Sequence, residues 1–537
     1  MNILAARVHA GEISGTICYN DEKRPSNWKK YVGYIEQQDV MYENLTVFET
    51  LMFAARLRMD AAVSYEEKEQ RVRSIIRELG LTGCMHSRIG GGMDRGISGG
   101  EKKRVAIAIE LVTNPSIIFL DEPTSGLDSF TASNLIEMIK NIAKNEKKII
   151  IMTIHQPKTD ILLKFDKVLL LALGKTVFMG SVNDGLLFFN KCGFECPQMT
   201  NPADFFLDKI AVDSRSPESK AECEQKVEAF HKQWSLIEEE SKICTKTSKS
   251  DYVTVKFAHR NHILKEFWIL LERSMKDVVR DKLYIGAVSA QTVILLIILS
   301  CVYFKLSDSE EGIQNRIGVL FFICVNMIFS TIMPIIHMFP SEREILQRER
   351  YSNTHRVISV MSSKFISSLP IRILSSTVFG ASLYWIIGLT SSAERFLTFL
   401  VILNVYVVTS IALGMFIGIM VPSAKAGEVF GPLSVVIFTI FGGNLVNLDS
   451  VTWAVRWLSY VSPVNYAYKA FFQNEFEPLV FNADMGGKLL GSQVISKYSL
   501  DDIAVWPCIA ILAAHGIVYL IAGYIVMRYF KKPNQRL

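Results

Sequence analysis

Beyond Tyr284 the chain carries six long runs almost free of charge: Tyr284–Phe304, Ile317–Phe339, Phe365–Leu389, Phe396–Val421, Val429–Leu448 and Ile503–Met527. As a helix, each is long enough to cross the ~30 Å hydrocarbon core of a bilayer. The C-terminal half is therefore expected to be an all-α six-helix transmembrane domain, residues 283–530, with a long loop at 449–502. The third run contains Arg372 seven residues in. Such a side chain snorkels to the near interface or faces the bundle interior. Gly442-Gly443-Asn444 interrupts the end of the fifth run.

Charge sets the orientation. Lys276, Arg280 and Lys282 precede the first run, and Arg528, Lys531, Lys532 and Arg536 follow the last. The 340–364 loop adds Arg343, Arg348, Arg350, Arg356 and Lys364, while loops 305–316 and 390–395 are poor in basic residues. The excess of Lys and Arg places both termini and the 340–364 loop in the cytoplasm, and 449–502 outside or in a lumen. That outer loop has no Cys and no N-x-[ST] sequon; the only sequon, Asn44-Leu45-Thr46, falls on the cytoplasmic side. Met1–Ala5 turns polar too soon for a signal peptide, so the first span is expected to act as its own signal. The membrane it enters, plasma or internal, is left open.

Before the first span, Ile263, Leu264, Phe267, Leu271, Met275, Val278 and Val279 recur at helical spacing, with Lys265, Arg273, Lys276 and Arg280 on other faces. Residues 259–282 are thus expected to be an amphipathic connecting helix against the membrane. Residues 212–258, rich in Ser, Glu and Lys, are expected to be a linker. The first 211 residues have ordinary globular composition. A net charge of +5 without a basic-aromatic stripe argues against nucleic acid as a partner. Nine cysteines form no metal-binding spacing beyond a solitary Cys192-x-x-x-Cys196, and the six in the soluble part (Cys18, Cys84, Cys192, Cys196, Cys223 and Cys244) are expected to be reduced thiols.

Chemistry concentrates in three ordered pieces. Ser98-Gly99-Gly100-Glu101 opens a helix; its glycines let backbone N–H groups approach a phosphate, and the helix end adds positive potential. The apolar strand Ile117–Leu120 then delivers Asp121 and Glu122 at its carboxyl end, where α/β sheets bind ligands. Asp121 can hold the water shell of Mg²⁺, and Glu122 can polarise an attacking water. The turn Ser125-Gly126-Leu127-Asp128 follows. A second apolar strand, Lys148–Thr153, precedes His155, placed to meet a terminal phosphate. Upstream, Gln37 ends another short strand, where it can reach Mg²⁺ and report nucleotide state to a neighbouring domain. These residues favour an α/β nucleotide-binding domain over a receptor or channel without ATPase activity, and the membrane runs exclude a soluble ATPase.

Ile97–Ala132 resembles the signature-to-D-loop block of ABC transporters of the G subfamily, the pigment, sterol and multidrug half-transporters. Asn201–Asp208 resembles another block of that subfamily, as does Trp453-x-x-x-Trp457-x-x-Tyr460-x-Ser462-Pro463 with Asn474-Glu475-Phe476. The likeness spans the chain, cassette first. It implies Ser98 to Glu101 as signature, Asp121 and Glu122 as Walker B, Asp128 as D-loop, His155 as switch histidine and Gln37 as Q-loop. Cofactors are then ATP and Mg²⁺. The partner is a second half-transporter, identical or different, because each ATP lies between two chains. The substrate is an amphipathic or lipid-like compound exported through the lipid bilayer. Resemblance also places Phe322, Asn326 and Phe329, one face of the second span, at a central cavity, although plain helix packing would equally account for them. Asn444 and Leu445 fall where multidrug relatives have an apolar gate, and a polar Asn444 departs from that pattern.

No G-x-x-x-x-G-K-[ST] motif occurs, and Gly174-Lys175-Thr176 reads instead as a hairpin turn between two strands. Asn2–Ala6 resembles the helix that follows a P-loop lysine in the family, so the cassette is expected to lack Walker A and its first strands. Two explanations stand: a start upstream of Met1, or an impaired subunit lending its signature to a partner's intact site. The first is favoured because Gln37, Glu122 and His155 remain in place. ATPase activity is expected where the P-loop is restored or supplied by a partner.

Overall fold

The structure, a computed structural model, describes residues 1–7, 14–19, 22–24, 28, 31–91, 96–213, 215–244, 261–446, 451–482 and 488–530. Its contacts separate two units: Met1–Asp39 with Thr46–Arg260, and Val40–Leu45 with Asn261–Leu537.

In the first unit, β1 (Cys18–Tyr19) and β2 (Glu22–Lys23) form a small antiparallel pair. The main sheet is parallel, with β3 (Val32–Ile35), β4 (Ile117–Leu120) and β5 (Ile149–Met152) in that spatial order. Every residue of central β4 is buried, the condition that makes its run uniformly apolar. Edge strand β5 alternates instead, leaving Ile149 47% and Ile151 38% exposed. The connections hold helices α1 (Val47–Arg58), α2 (Tyr65–Glu78), α3 (Gly99–Leu111), α4 (Ser129–Asn145) and α5 (Thr159–Leu162).

The expected hairpin forms between β6 (Val168–Ala172) and β7 (Lys175–Gly180), turning at Gly174 with φ +74°. Helices α6 (Val182–Lys191), α7 (Pro202–Ile210) and α8 (Pro217–Cys244) pack with it around Phe178, Phe188, Phe189, Phe206 and Phe230. Helix α8 differs from the linker expected over 212–258. Val227 and Phe230, with Trp234 packed beside them, recur on one helical face and anchor α8 in this core despite the polar composition around them. Of that expected linker, 245–258 lies outside the described residues.

The second unit comprises α9 (Ile263–Arg280), α10 (Lys282–Val302), α11 (Glu310–Tyr351), α12 (Val357–Ile387), α13 (Ala393–Met420), α14 (Ala424–Ile440), α15 (Trp453–Val461), α16 (Pro463–Phe476), α17 (Gly491–Lys497) and α18 (Val505–Ile525). An antiparallel pair, β8 (Val480–Asn482) and β9 (Lys488–Leu490), joins α16 to α17. Among the described residues five helices are long and apolar enough to cross a membrane: α10 to α13, and Val505–Tyr529 around α18. The fifth run falls short of the six expected. Helix α14 has 17 residues, about 26 Å at 1.5 Å per residue, and it ends before Gly443 at φ +86°. A Cβ on neighbouring Gly442 would stand 2.8 Å from Val464 Cγ1, so the turn is packed closely onto α16.

Helix α13 lies at the centre of the bundle against α11, α12 and α18. Tyr406 donates to the Cys324 carbonyl at 2.9 Å and Thr409 to the Leu512 carbonyl at 2.8 Å. In α9 the buried face carries Glu266, Ile269, Leu270, Arg273 and Ser274, while Leu264, Trp268 and Val279 are exposed. Buried Glu266 pairs with Arg356 at 2.8 Å, and buried Arg273 with Glu349 at 2.5 Å.

Candidate functional site

Parallel pairing runs past the end of β4: the Asp121 N–H donates to the Ile35 carbonyl at 3.0 Å, and the Thr153 N–H to the Leu120 carbonyl at 3.1 Å. The chain therefore enters Asp121 in register with its neighbours, and the sheet delivers three side chains to one edge. Thr153 Oγ1 donates to Asp121 Oδ1 at 2.7 Å and accepts from the Glu122 N–H at 3.0 Å. Tyr34 donates to Asp121 Oδ2 at 3.3 Å. Gln37 Nε2 donates to Glu122 Oε2 at 2.8 Å. Gln37 and Glu122 thus meet directly, and Thr153 joins Glu122 to Asp121. Glu122 has φ +43°, an uncommon backbone for a residue with a side chain and one that recurs at functional sites. Burial and the adjacent Asp121 carboxylate push the Tyr34 hydroxyl far above its ordinary range, so it remains a donor.

The donor set suits a hard cation. Asp121 is a single carboxylate at a strand end, and Gln37, whose side-chain amide N–H goes to Glu122, has its Oε1 as the remaining side-chain oxygen. Mg²⁺ takes few protein oxygens and completes its shell with water and phosphate. Among the described residues, no cluster of three or more His, Cys, Asp or Glu could hold a metal ion by itself.

The Ser-Gly-Gly piece forms the N-terminus of α3 through a capping box. Ser98 Oγ accepts from the Glu101 N–H at 3.3 Å, and Glu101 Oε2 accepts from the Ser98 N–H and hydroxyl at 2.8 Å each. These bonds hold the Glu101 carboxyl below its usual range. Ser98 and Glu101 thus fix the helix start, leaving the Gly99 and Gly100 N–H groups at the positive end of the helix. The two glycines differ. A Cβ at Gly99 meets nothing within 4 Å, whereas one at Gly100 would lie 2.7 Å from Thr131 Cγ2 of α4.

Asp128 caps α4, accepting from the Phe130 and Thr131 N–H groups at 3.1 and 3.0 Å; its pKa is lowered first by the Thr131 side chain and then by these N–H bonds. His155 lies exposed three residues beyond β5, just before Gln156 at φ +41°.

Sequence reading missed two residues of this site. Lys103, 2% exposed, donates to the Gln37 carbonyl at 2.9 Å and pairs with Asp39 at 2.9 Å. It ties α3 to the segment carrying Gln37. Thr153 supports both acids. The signal available for Lys103 was its place among apolar neighbours on a helix face, which a lysine occupies only when paired.

In the second unit Phe322 and Phe329 are 40% and 42% exposed, with half-buried Asn326 between them on α11. Asn444 accepts from the Tyr468 hydroxyl at 3.1 Å, and Leu445 is 57% exposed. Segment Val40–Leu45, just past Gln37, belongs to this unit. Tyr42 donates to Glu342 at 3.1 Å, and Asn44 to Asp277 at 3.1 Å.

Comparison with known proteins adds three findings. Residues 1–125 match the ABC transporter family; residues 265–476 and 155–239 each match an ABC-2 type transporter family. The chain is 33% identical to the broad substrate specificity ATP-binding cassette transporter ABCG2 of Rattus norvegicus, over 99% of this chain and 86% of that protein. It is 31% identical to ABC transporter G family member 7 of Arabidopsis thaliana, over 100% of this chain and 76% of that protein, and 32% identical to protein white of Drosophila melanogaster, over 83% and 65%.

Proposed function

The chain belongs to the G family of ABC transporters, an ATP-driven export half-transporter, and on that premise we propose that its substrate is an amphipathic or lipid-like compound moved by a dimer. The observation that carries this reading is the hydrogen-bonded set of Gln37, Asp121 and Glu122 at one sheet edge of a chain that also holds five membrane-length apolar helices.

In this reading Glu122 orients and polarises the attacking water, its carboxylate aimed by Gln37 and its backbone by Thr153. Asp121 and Gln37 hold Mg²⁺, which when bound neutralises phosphate charge. His155, exposed at the end of β5, contacts the terminal phosphate. The Ser98–Gly100 turn and Asp128 act on the nucleotide seated in the other protomer. Motion passes through the covalent chain, because only two residues separate Gln37 from Val40, where the membrane unit begins. Helix α9 receives it through Tyr42, which accepts from Arg273 at 3.4 Å. The exposed apolar residues of α9 suit a membrane surface, and the basic loops support a cytoplasmic cassette with cytoplasmic termini. Phe322, Asn326, Phe329 and Leu445 meet substrate, with Asn444 held by Tyr468 beside them.

A second reading, a chain that only lends its signature turn to another half-transporter, is separated by the same assay. Inside-out vesicles carrying this chain alone, or with another half-transporter, are tested for ATP-dependent uptake of a fluorescent amphiphile. Uptake by the chain alone supports a homodimer, and uptake only in the mixed vesicles supports the lending role. Absence from both contradicts export by this chain.

A further inference from the structure

His155 stands on a short loop anchored at both ends. At its start, Thr153 Oγ1 donates to Asp121 at 2.7 Å and accepts from the Glu122 N–H at 3.0 Å. Only Ile154, His155 and Gln156 then separate Thr153 from Pro157. Gln156 has φ +41°, a left-handed backbone that a residue with a side chain keeps only where its surroundings hold it. The far end is held by Asn201, which precedes α7 and lies 44 residues beyond Pro157. Its Nδ2 donates to the Pro157 carbonyl at 2.8 Å, and its Oδ1 accepts from the Thr159 hydroxyl at 3.1 Å.

Capping alone does not call for these bonds. The cap of α7 uses only Asn201 Oδ1, which accepts from the Ala203 N–H at 3.2 Å. The amide nitrogen is left over, and it goes to Pro157 and, at 3.2 Å, to Asp204 Oδ2. Asparagine carries an acceptor and two N–H donors on one short side chain, so it can cap a helix and hold a neighbouring carbonyl at once. Beyond Thr159 the ties continue to α4. Asp160 Oδ2 accepts from the Ser133 hydroxyl at 3.2 Å, and Lys164 donates to the Ser133 carbonyl at 3.1 Å. Side-chain bonds thus connect the start of α7, the far end of the His155 loop and the helix that Asp128 caps.

We propose that Asn201 is a positioning residue for nucleotide hydrolysis: by pinning Pro157 it fixes where the His155 imidazole stands. It acts through His155 and touches no nucleotide itself. The inference rests on the phosphate contact proposed above for His155.

Asn201→Ser tests it, because serine caps a helix about as well as asparagine and has no amide to give Pro157. Hydrogen–deuterium exchange is followed on the full chain in phosphatidylcholine nanodiscs without nucleotide. Residues 154–165 include the Leu162 and Leu163 N–H groups, which bond the Lys158 and Thr159 carbonyls at 2.9 and 3.0 Å. Exchange there should quicken about threefold to tenfold, the equivalent of one lost hydrogen bond, while 203–211 exchanges as in the wild type. Unchanged exchange over 154–165 overturns the proposal. ATP turnover is then measured for the assembled transporter, with Walker A in the protomer that carries the substitutions. Asn201→Ser should lower kcat about tenfold and leave KM for ATP nearly unchanged, and it should add nothing once His155→Ala is present. A wild-type kcat, or a loss that persists in full on the His155→Ala background, overturns the positioning role. Turnover undiminished by His155→Ala refutes the phosphate contact itself and with it this use of Asn201, while the exchange result still decides whether the pin exists. Should Asn201→Ser loosen 203–211 as well, Asn201→Asp decides. It keeps the cap and the acceptor for Thr159 and removes the N–H donors, so it should reproduce the fall in kcat, and a wild-type kcat there overturns the proposal.

Discussion

Gly99 and Gly100 answer to different constraints although they sit side by side at the start of α3. Around Gly99 the space is open, so the absence of a side chain serves approach from outside. At Gly100 the absence serves packing, because Thr131 Cγ2 fills the place of a Cβ. Gly100→Ala should therefore destabilise the cassette by about 1–3 kcal/mol through overpacking. Thr131→Ser, which removes that methyl, should restore most of the loss. Thermal melting of the two single variants and the double variant measures the coupling, and strictly additive effects would refute the contact. The sequence reading assigned both glycines to phosphate because residue type reveals the freedom and not the neighbour. Lys103 was missed for a similar reason. Its partners Gln37 and Asp39 lie more than sixty residues away, and the adjacent Glu101, Lys102 and Arg104 mask the apolar helix face on which it sits.

Among elements, α3 shows how much a local pattern can specify. Ser98 followed three residues later by Glu101 announces a capping box, and both reciprocal bonds form. Glu101 loses its proton more readily folded than unfolded, since its carboxylate is stabilised by the Ser98 N–H and hydroxyl. Its contribution to stability is thus fully present above the unfolded value, about pH 4.3, and is lost as pH falls through the lower folded value. Glu101→Gln retains an acceptor but does not titrate, so its melting temperature should fall less steeply than the wild type's between about pH 5 and pH 3. Parallel curves would show that this carboxylate does not carry the dependence. The Gly174 hairpin was equally legible, because a turn with positive φ calls for glycine. Helices α8 and α14 were not. Composition hid the few apolar anchors of α8 among Glu and Lys. For α14 the Gly442-Gly443-Asn444 interruption was visible in the sequence, but hydropathy alone carried the run on to Leu448, past the helix end at Ile440.

For the whole molecule, two units share one continuous chain that crosses between them after Asp39, after Leu45 and again before Asn261. Motifs pointed to the sheet edge proposed to be catalytic because its acids, strand and turn are close in sequence. The buried pairs of the membrane unit, Arg316 with Glu475 at 3.2 Å or Arg273 with Glu349, join residues far apart in sequence, so spacing gave no hint of them. The account centres on Glu122 as the carboxylate that activates water in a nucleotide site completed by a second protomer. The most direct test is ATP turnover and nucleotide retention by the assembled transporter, with Walker A present in the same protomer that carries Glu122→Gln. Turnover at sites built on this chain should fall by a factor of about 10² to 10⁴, while ATP stays bound and the cassettes remain joined. Undiminished turnover would contradict the role assigned to Glu122 and, with it, the reading of the sheet edge on which that role rests.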